Sequence, residues 1–210
     1  MIDNLIATLA TASVADDVYN QYADDGSLGN AVRRENLKLY FEQVLGLGAQ
    51  LILVGEAPGY LGCRRTGVPF TSEQLLLAGI DPPGLFGSQY GFRSASDDGR
   101  VPAEQTATIV WRELRKHEAV ALGWNAWPFH PHRSAVPLSN RTPRVSELRQ
   151  GLPFLKVLLG LAPGLPVVAM GNSAARSLSW LGVDHHKVRH PAQGGARSFA
   201  AGLSAVLAQV

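Results

Sequence analysis

The apolar positions of this chain come in short unbroken runs, separated by longer stretches where they recur every three or four residues. Residues 50–54, 119–124 and 165–170 are such runs, short enough to be buried strands, and residues 186–189 are read as a shorter fourth strand. Helical spacing predicts a helix over residues 29–46, ended by Gly46, a short helix near 72–79 and another over 103–117. Pro143 then starts a helix of about 18 residues by pattern, a further helix begins at Asn172 or Ser173, and the last runs from Ala196 to Leu207. Strands alternating with helices predict an α/β fold: a three-layer α/β/α arrangement around a central, mostly parallel four-stranded sheet. We read residues 1–210 as one domain, with residues 1–47 a helical segment packed on it.

Polar and special residues gather where the apolar runs stop. The first run ends in Gly55–Phe70, GEAPGYLGCRRTGVPF, within a mostly loop-like region extending to residue 102. The second run opens a loop over 124–143, rich in proline and aromatics, and the fourth opens HPAQGG, His190–Gly195. Parallel α/β sheets bind ligands at the carboxyl ends of their strands. Long ordered loops there usually carry function.

Composition narrows the setting. No apolar run reaches the roughly 18 residues of a membrane span. The N-terminal stretch lacks the basic start of a signal peptide. One cysteine, Cys63, excludes an intramolecular disulfide and a four-cysteine iron–sulfur cluster within the chain. A cytoplasmic protein, most simply a monomer, is expected. The net charge of +2 hides an asymmetry: residues 1–60 carry eight acids and three bases, residues 61–210 nine acids and sixteen bases. That leaves two readings, an unevenly charged solvated surface or a basic face for a polyanion.

The loop motifs resemble those of the uracil-DNA glycosylase superfamily. Gly55-Glu56-Ala57-Pro58-Gly59, with TGVPF closing its loop, is most similar to the family-4 and single-strand-selective members. The middle region adds Asn125, Asn140-Arg141-Thr142-Pro143 is similar to an NRTP-like segment of family-4 enzymes, GNSA at 171–174 to a common strand-to-helix turn, and His190-Pro191 to the pair that opens a DNA-intercalating loop. The likeness runs over about residues 48–207, in motif order. It implies a monofunctional glycosylase that needs no cofactor, acts on uracil or another deaminated base in DNA, uses water as nucleophile and leaves an abasic site. Two departures stand out. Family-4 enzymes usually carry four cysteines, and many relatives keep Asp or Asn where Ala57 stands.

Roles follow residue by residue. Such hydrolysis needs an extrahelical base in a pocket, donors for the leaving anion, and negative charge with a held water near the sugar. Glu56 is the only acid in the three motif loops, so it either positions water and stabilises the sugar cation or braces the loop. The resemblance makes His190 the donor to the uracil O2; otherwise it caps a strand end. Phe70 is either a stacking platform for the base or a core residue. The Asn125 amide reads N3–H and O4, or closes a turn. Gly55 and Ala57 line the base site, and Gly59 stands where uracil-strict relatives place a methyl-excluding tyrosine. For DNA, Arg64, Arg65, Arg189 and Arg197 are phosphate candidates, and Pro191, Ala192, Gln193 and Gly194 form a wedge. Arg64 and Arg65 also fit a solvated loop tip.

The rings and histidines from Trp124 to Arg133 fit either base contact or a small core beneath a long loop. His130 with His132, or His185 with His186, lacks a completing ligand, so no metal is expected. Two other functions compete. Ser173 after a strand, followed by Asp184 and His190, has the order of a serine hydrolase. A binding module that holds a damaged base without cleaving it would account for Ala57.

Overall fold

The computed structural model describes residues 1–209. Its main sheet has four parallel strands in the order β3-β2-β5-β6: β2 Leu51–Gly55, β3 Ala121–Asn125, β5 Val167–Met170 and β6 His186–Val188. Every residue of β2, β3 and β5 is buried, the signature of strands covered on both faces. The helices are α1 Ile2–Ala10, α2 Leu28–Gly46, α3 Cys63–Thr66, α4 Glu73–Ala78, α5 Gln105–Lys116, α6 Val145–Leu159, α7 Asn172–Trp180 and α8 Ala196–Leu207. The expected three-layer α/β/α fold is therefore present. No helix among the described residues is long and apolar enough to cross a membrane.

The chain steps from β2 sideways to β3, then returns past β2 to β5 and on to β6. Right-handed crossovers therefore put α5 on one face and α6 and α7 on the other. Contacts agree: α7 lies on β5 and β2, α6 on β3, and α8 on β6 and against α5. The reversal creates a switch point between β2 and β5, where such sheets hold their ligands.

Local chemistry sets the helix starts. Ser27 Oγ accepts from Asn30 N, and the Glu104 carboxylate accepts from Thr106 N and Ala107 N at 2.9 and 2.6 Å. The helix expected from Pro143 begins two residues later, because Glu147 accepts the Arg144 N–H at 2.6 Å. Asn125, expected as the first loop residue, is the last residue of β3, since its ladder with β2 runs to Gly55↔Asn125.

In the N-terminal segment, helix α1 buries Leu5 and Leu9. One pairing was not expected from the sequence. The short strands β1 Val18–Tyr19 and β4 His130–Pro131 pair antiparallel, joining the N-terminal segment to the loop after β3. That loop is not a display of rings. Trp124, Trp127 and Phe129 are each 2% exposed or less, and Phe129 meets Phe154 of α6 edge-on. Core packing, not base contact, is the role of these rings. His130 and His132 are buried with them.

Candidate active site

The strand ends Asn125, Met170 and Val188 line one cleft of about 900 Å³; Gly55, expected to line it too, lies beneath Phe70 instead, and Glu56 after it forms the wall. Its walls come from the loops after β2, β3, β5 and β6 and from the start of α5. Glu56, Ala57, Gly59, Phe70, Asn125, Arg189, His190, Ala192 and Gln193 all line it, so residues up to 137 positions apart in sequence (56 to 193) meet in one place.

The Phe70 ring packs against β2 and β3. A Cβ on Gly55 would stand 2.7 Å from its ring, and one on Gly123 would stand 2.8 Å from it. Two bare glycines therefore make the seat for this ring. The backbone of Phe70 takes φ 52°, a strained value for a side-chain-bearing residue. Trp111 Nε1 donates to its carbonyl at 2.8 Å and holds that conformation. The same Gly55 Cβ position lies 3.0 Å from Asn125 Oδ1. A flat ring and a buried amide thus share one glycine. No protein group hydrogen-bonds the Asn125 amide among the described residues, leaving both its ends to the cleft.

Glu56 begins the loop after β2 at the switch point. Its Oε2 accepts from Ser173 Oγ at 2.6 Å, in the first turn of α7. A carboxylate is favoured at a helix N-terminus, and this bond fixes its orientation. Its Oε1 takes no donor from the described residues and remains for a ligand or water.

His190 sits across the cleft. Ala192 N donates to its Nδ1 at 3.1 Å. That contact fixes the tautomer, leaving Nε2–H as the free donor. Burial lowers its pKa, while the negative charges of Glu56 and Glu104 pull the other way. The ring is therefore neutral at neutral pH. The turn behind it is tight: Gly195 N donates to Ala192 O, and a Cβ on Gly195 would lie 2.0 Å from His190 O. Pro191 is buried beneath this turn, with Gln193 and Gly194 exposed at its tip.

The cations divide. Arg189 and Arg197 are exposed, and neither has an ion-pair partner among the described residues. Arg65 is not a phosphate clamp. It pairs with Glu73, which is fully buried, and grips Asp98 with both Nη atoms at 2.9 and 2.7 Å. Its neighbour Arg64 stacks on the Tyr19 ring, 4.5 Å from the centroid, and does not line the cleft. Both were expected at a loop tip, but α3 turns them inward against residues distant in sequence.

The serine-hydrolase arrangement is absent. Ser173 Oγ donates to Glu56, the Nδ1 of His190 is occupied by Ala192 N–H, and Asp184 lies by a second cleft with Gly164–Val167, at the opposite strand ends. Burial pushes the Cys63 thiol up to about 12, which removes it as a nucleophile.

The matching of known families decides the identity. The sequence model of the uracil DNA glycosylase superfamily matches residues 43–202, more than half the chain and every cleft loop. The chain belongs to the uracil-DNA glycosylase superfamily. In fold it is similar to the crystal structure of wild-type Pedobacter heparinus SMUG2, with a TM-score of 0.62 at 12% identity over 99% of this chain and 95% of that one. No curated protein sequence matches the chain at a significant level.

As a superfamily member, the chain brings cleft residues that its motifs did not single out. Glu104, Gln105 and Thr106 enter at the start of α5 and Lys187 from β6, and Asn172 of the recognised GNSA turn joins them from α7. Asn140, Arg141 and Thr142 lie within a recognised segment, yet their place at the cleft depends on a tie to the first loop: Asn140 Oδ1 accepts Tyr60 N at 3.0 Å. Glu104 falls at the start of the helix expected over 103–117, but nothing local in the sequence says what that helix start faces. Lys187 is the one lysine at this cleft among the described residues.

His130 braces the site from behind. It is fully buried, and its Nδ1 donates to Pro58 O at 2.8 Å. Burial lowers its pKa to about 4, against the pull of the Pro58 carbonyl and with help from Arg64. The folded ring is neutral, while the unfolded ring takes a proton near 6.5. Its stabilisation is therefore complete above 6.5 and is lost as the pH falls through that range to about 4. The loss is at most about 3 kcal/mol. Denaturant unfolding between neutral and acid pH should show a shallower loss of stability in His130→Asn than in the wild type. Equal pH slopes would contradict this.

Proposed function

We propose that the protein is a DNA glycosylase that hydrolyses the N-glycosidic bond of uracil, or a related deaminated base, flipped out of DNA, leaving an abasic site. The observation that carries this reading is the pairing of the Phe70 ring and the unpartnered Asn125 amide over Gly55, facing Glu56 and His190. A pyrimidine stacked on Phe70 would present its polar edge to Asn125, whose oxygen accepts from N3–H and whose nitrogen donates to O4.

The chemistry follows from the two groups across the cleft. As the glycosidic bond breaks, charge grows on the base, and the neutral His190 Nε2–H donates to its O2. Positive charge grows on the sugar, and the free Glu56 oxygen faces it while holding the attacking water. Ser173 keeps the other oxygen from turning away. Ala57 supplies no polar side chain, so in this reading water positioning passes to Glu56. Arg189 and Arg197 hold phosphates, and the 191–194 turn meets the duplex beside the flipped base.

A second reading, binding without cleavage, rests on Ala57. One assay separates them. An end-labelled oligonucleotide with a single uracil is incubated with the protein, then treated with alkali or left untreated. Breaks at the uracil only after alkali support the glycosylase. Binding with no breaks supports the module. Breaks without alkali indicate lyase action, for which Lys187 is the available amine. Uracil opposite guanine, opposite adenine and in a single strand, with hypoxanthine alongside, gives the base and strand preference.

A further inference from the structure

A glycosylase that empties a position in the base stack needs something to fill it, and such wedges are built from large apolar side chains. The turn expected to do this is poorly equipped. Pro191 is buried, and the rest of its tip is Ala192, Gln193 and Gly194. No large apolar side chain projects there.

One projects from the neighbouring loop. Eight large hydrophobic side chains are exposed among the described residues, and three of them, Val136, Leu138 and Val145, fall within ten positions. Leu138 is 62% exposed and Val136 is 44% exposed. The whole segment 133–138 is exposed, and it contains Arg133 and no acid. It is nonetheless held in shape. Val136 N donates to Arg133 O at 2.9 Å, while Ser139 Oγ donates to Val136 O at 2.7 Å and accepts Arg133 N at 3.0 Å.

Its base is fastened to the cleft. Asn140, two residues beyond Leu138, lines the cleft and takes the Tyr60 N–H. Two residues span at most about 7 Å, which places Leu138 at the cleft rim. The ring of His130, whose Nδ1 donates to Pro58 O in the cleft wall, packs with Nε2 3.3 Å from Pro137 O, which sets the foot of this segment beside that wall. An aliphatic tip, pre-ordered by its own hydrogen bonds, next to a cation and at the rim of a base pocket, is suited to enter a stack.

We propose that Val136-Pro137-Leu138 is a wedge that inserts into duplex DNA beside the extrahelical base, filling the gap that the 191–194 turn is too small to fill. The inference rests on the glycosylase reading for its setting. Its occupant is duplex DNA, with Arg133 on a flanking phosphate. Single-stranded DNA has no stack to repair and gains nothing from the tip.

The test uses the full chain and the double variant Val136→Ala/Leu138→Ala, whose exposed positions leave the fold intact by thermal melting. Two readouts are taken. Single-turnover release of uracil from a U·G duplex should fall at least about tenfold, while release from the single strand stays within about twofold. Separately, a duplex with a tetrahydrofuran abasic analogue beside 2-aminopurine should brighten when the wild type binds and stay dim with the variant. Leu138→Phe should retain both signals. Equal losses on duplex and single strand, or no loss on either with unchanged brightening, overturns the wedge. A wild type that brightens the probe without releasing base, while the variant does not brighten it, keeps the wedge and removes the glycosylase reading. A wild type that does neither removes both.

Discussion

Glu56→Gln is expected to slow base release from a uracil oligonucleotide by about 10²- to 10⁴-fold in single turnover, with DNA affinity nearly unchanged. Glutamine keeps an oxygen for the Ser173 hydroxyl, which bonds Oε2 at 2.6 Å, so the loop retains its shape. What disappears is the negative charge facing the sugar and the acceptor for a proton of the attacking water. The partner residue sharpens the test. Ser173→Ala should produce a smaller loss of the same kind, because it frees the carboxylate to rotate without removing it. Combined with Glu56→Gln it should add little, since both changes act on one group. Release by Glu56→Gln at the wild-type rate would reduce this acid to a loop brace.

His190→Ala carries the second largest effect, a loss of about 10²-fold, as expected for removing one preorganised donor to a developing anion. Protonation would add charge to this ring, yet the geometry opposes it. Nδ1 already accepts the Ala192 N–H, and burial holds the pKa below its ordinary 6.5. The wild-type rate should therefore stay level as the pH falls through 6.5, if the neutral ring is the donor. A loss of activity centred at or above 6.5 would show that the pH-sensitive donor has an unshifted pKa, contrary to its burial.

Much of this architecture was legible along the chain. Runs such as Leu51–Val54 are too short for helices and too apolar for exposed strands, so the parallel sheet followed, and the unusual loops after each strand located the site. Glu56, Asn125 and His190 were legible because each closes or follows a strand, and Phe70 because TGVPF closes the loop after the first of them. Harder to read was anything fixed by partners far away. Arg64 and Arg65 look like free cations until Tyr19, Glu73 and Asp98 are placed beside them. Ser173 carried the spacing of a nucleophile, and only the meeting of the β2 and β5 loops made it a partner of Glu56. The rings of Trp127 and Phe129 looked suited to bases, yet the long loop folds them under itself.

The pairing of β1 with β4 has a consequence for how the pocket comes into being. Asp17 O accepts from His132 N and Arg141, and Gln21 Nε2 donates to Pro128 O, across up to 124 positions of sequence. During synthesis the Val18–Tyr19 strand emerges long before its partner, and it waits unpaired until residues 130–141 leave the ribosome. Contacts of such long range close late and slow the search. This wall of the cleft therefore sets late, and a nascent chain stopped short of residue 141 has β2 and β3 but neither β5 nor β6, and no complete cleft.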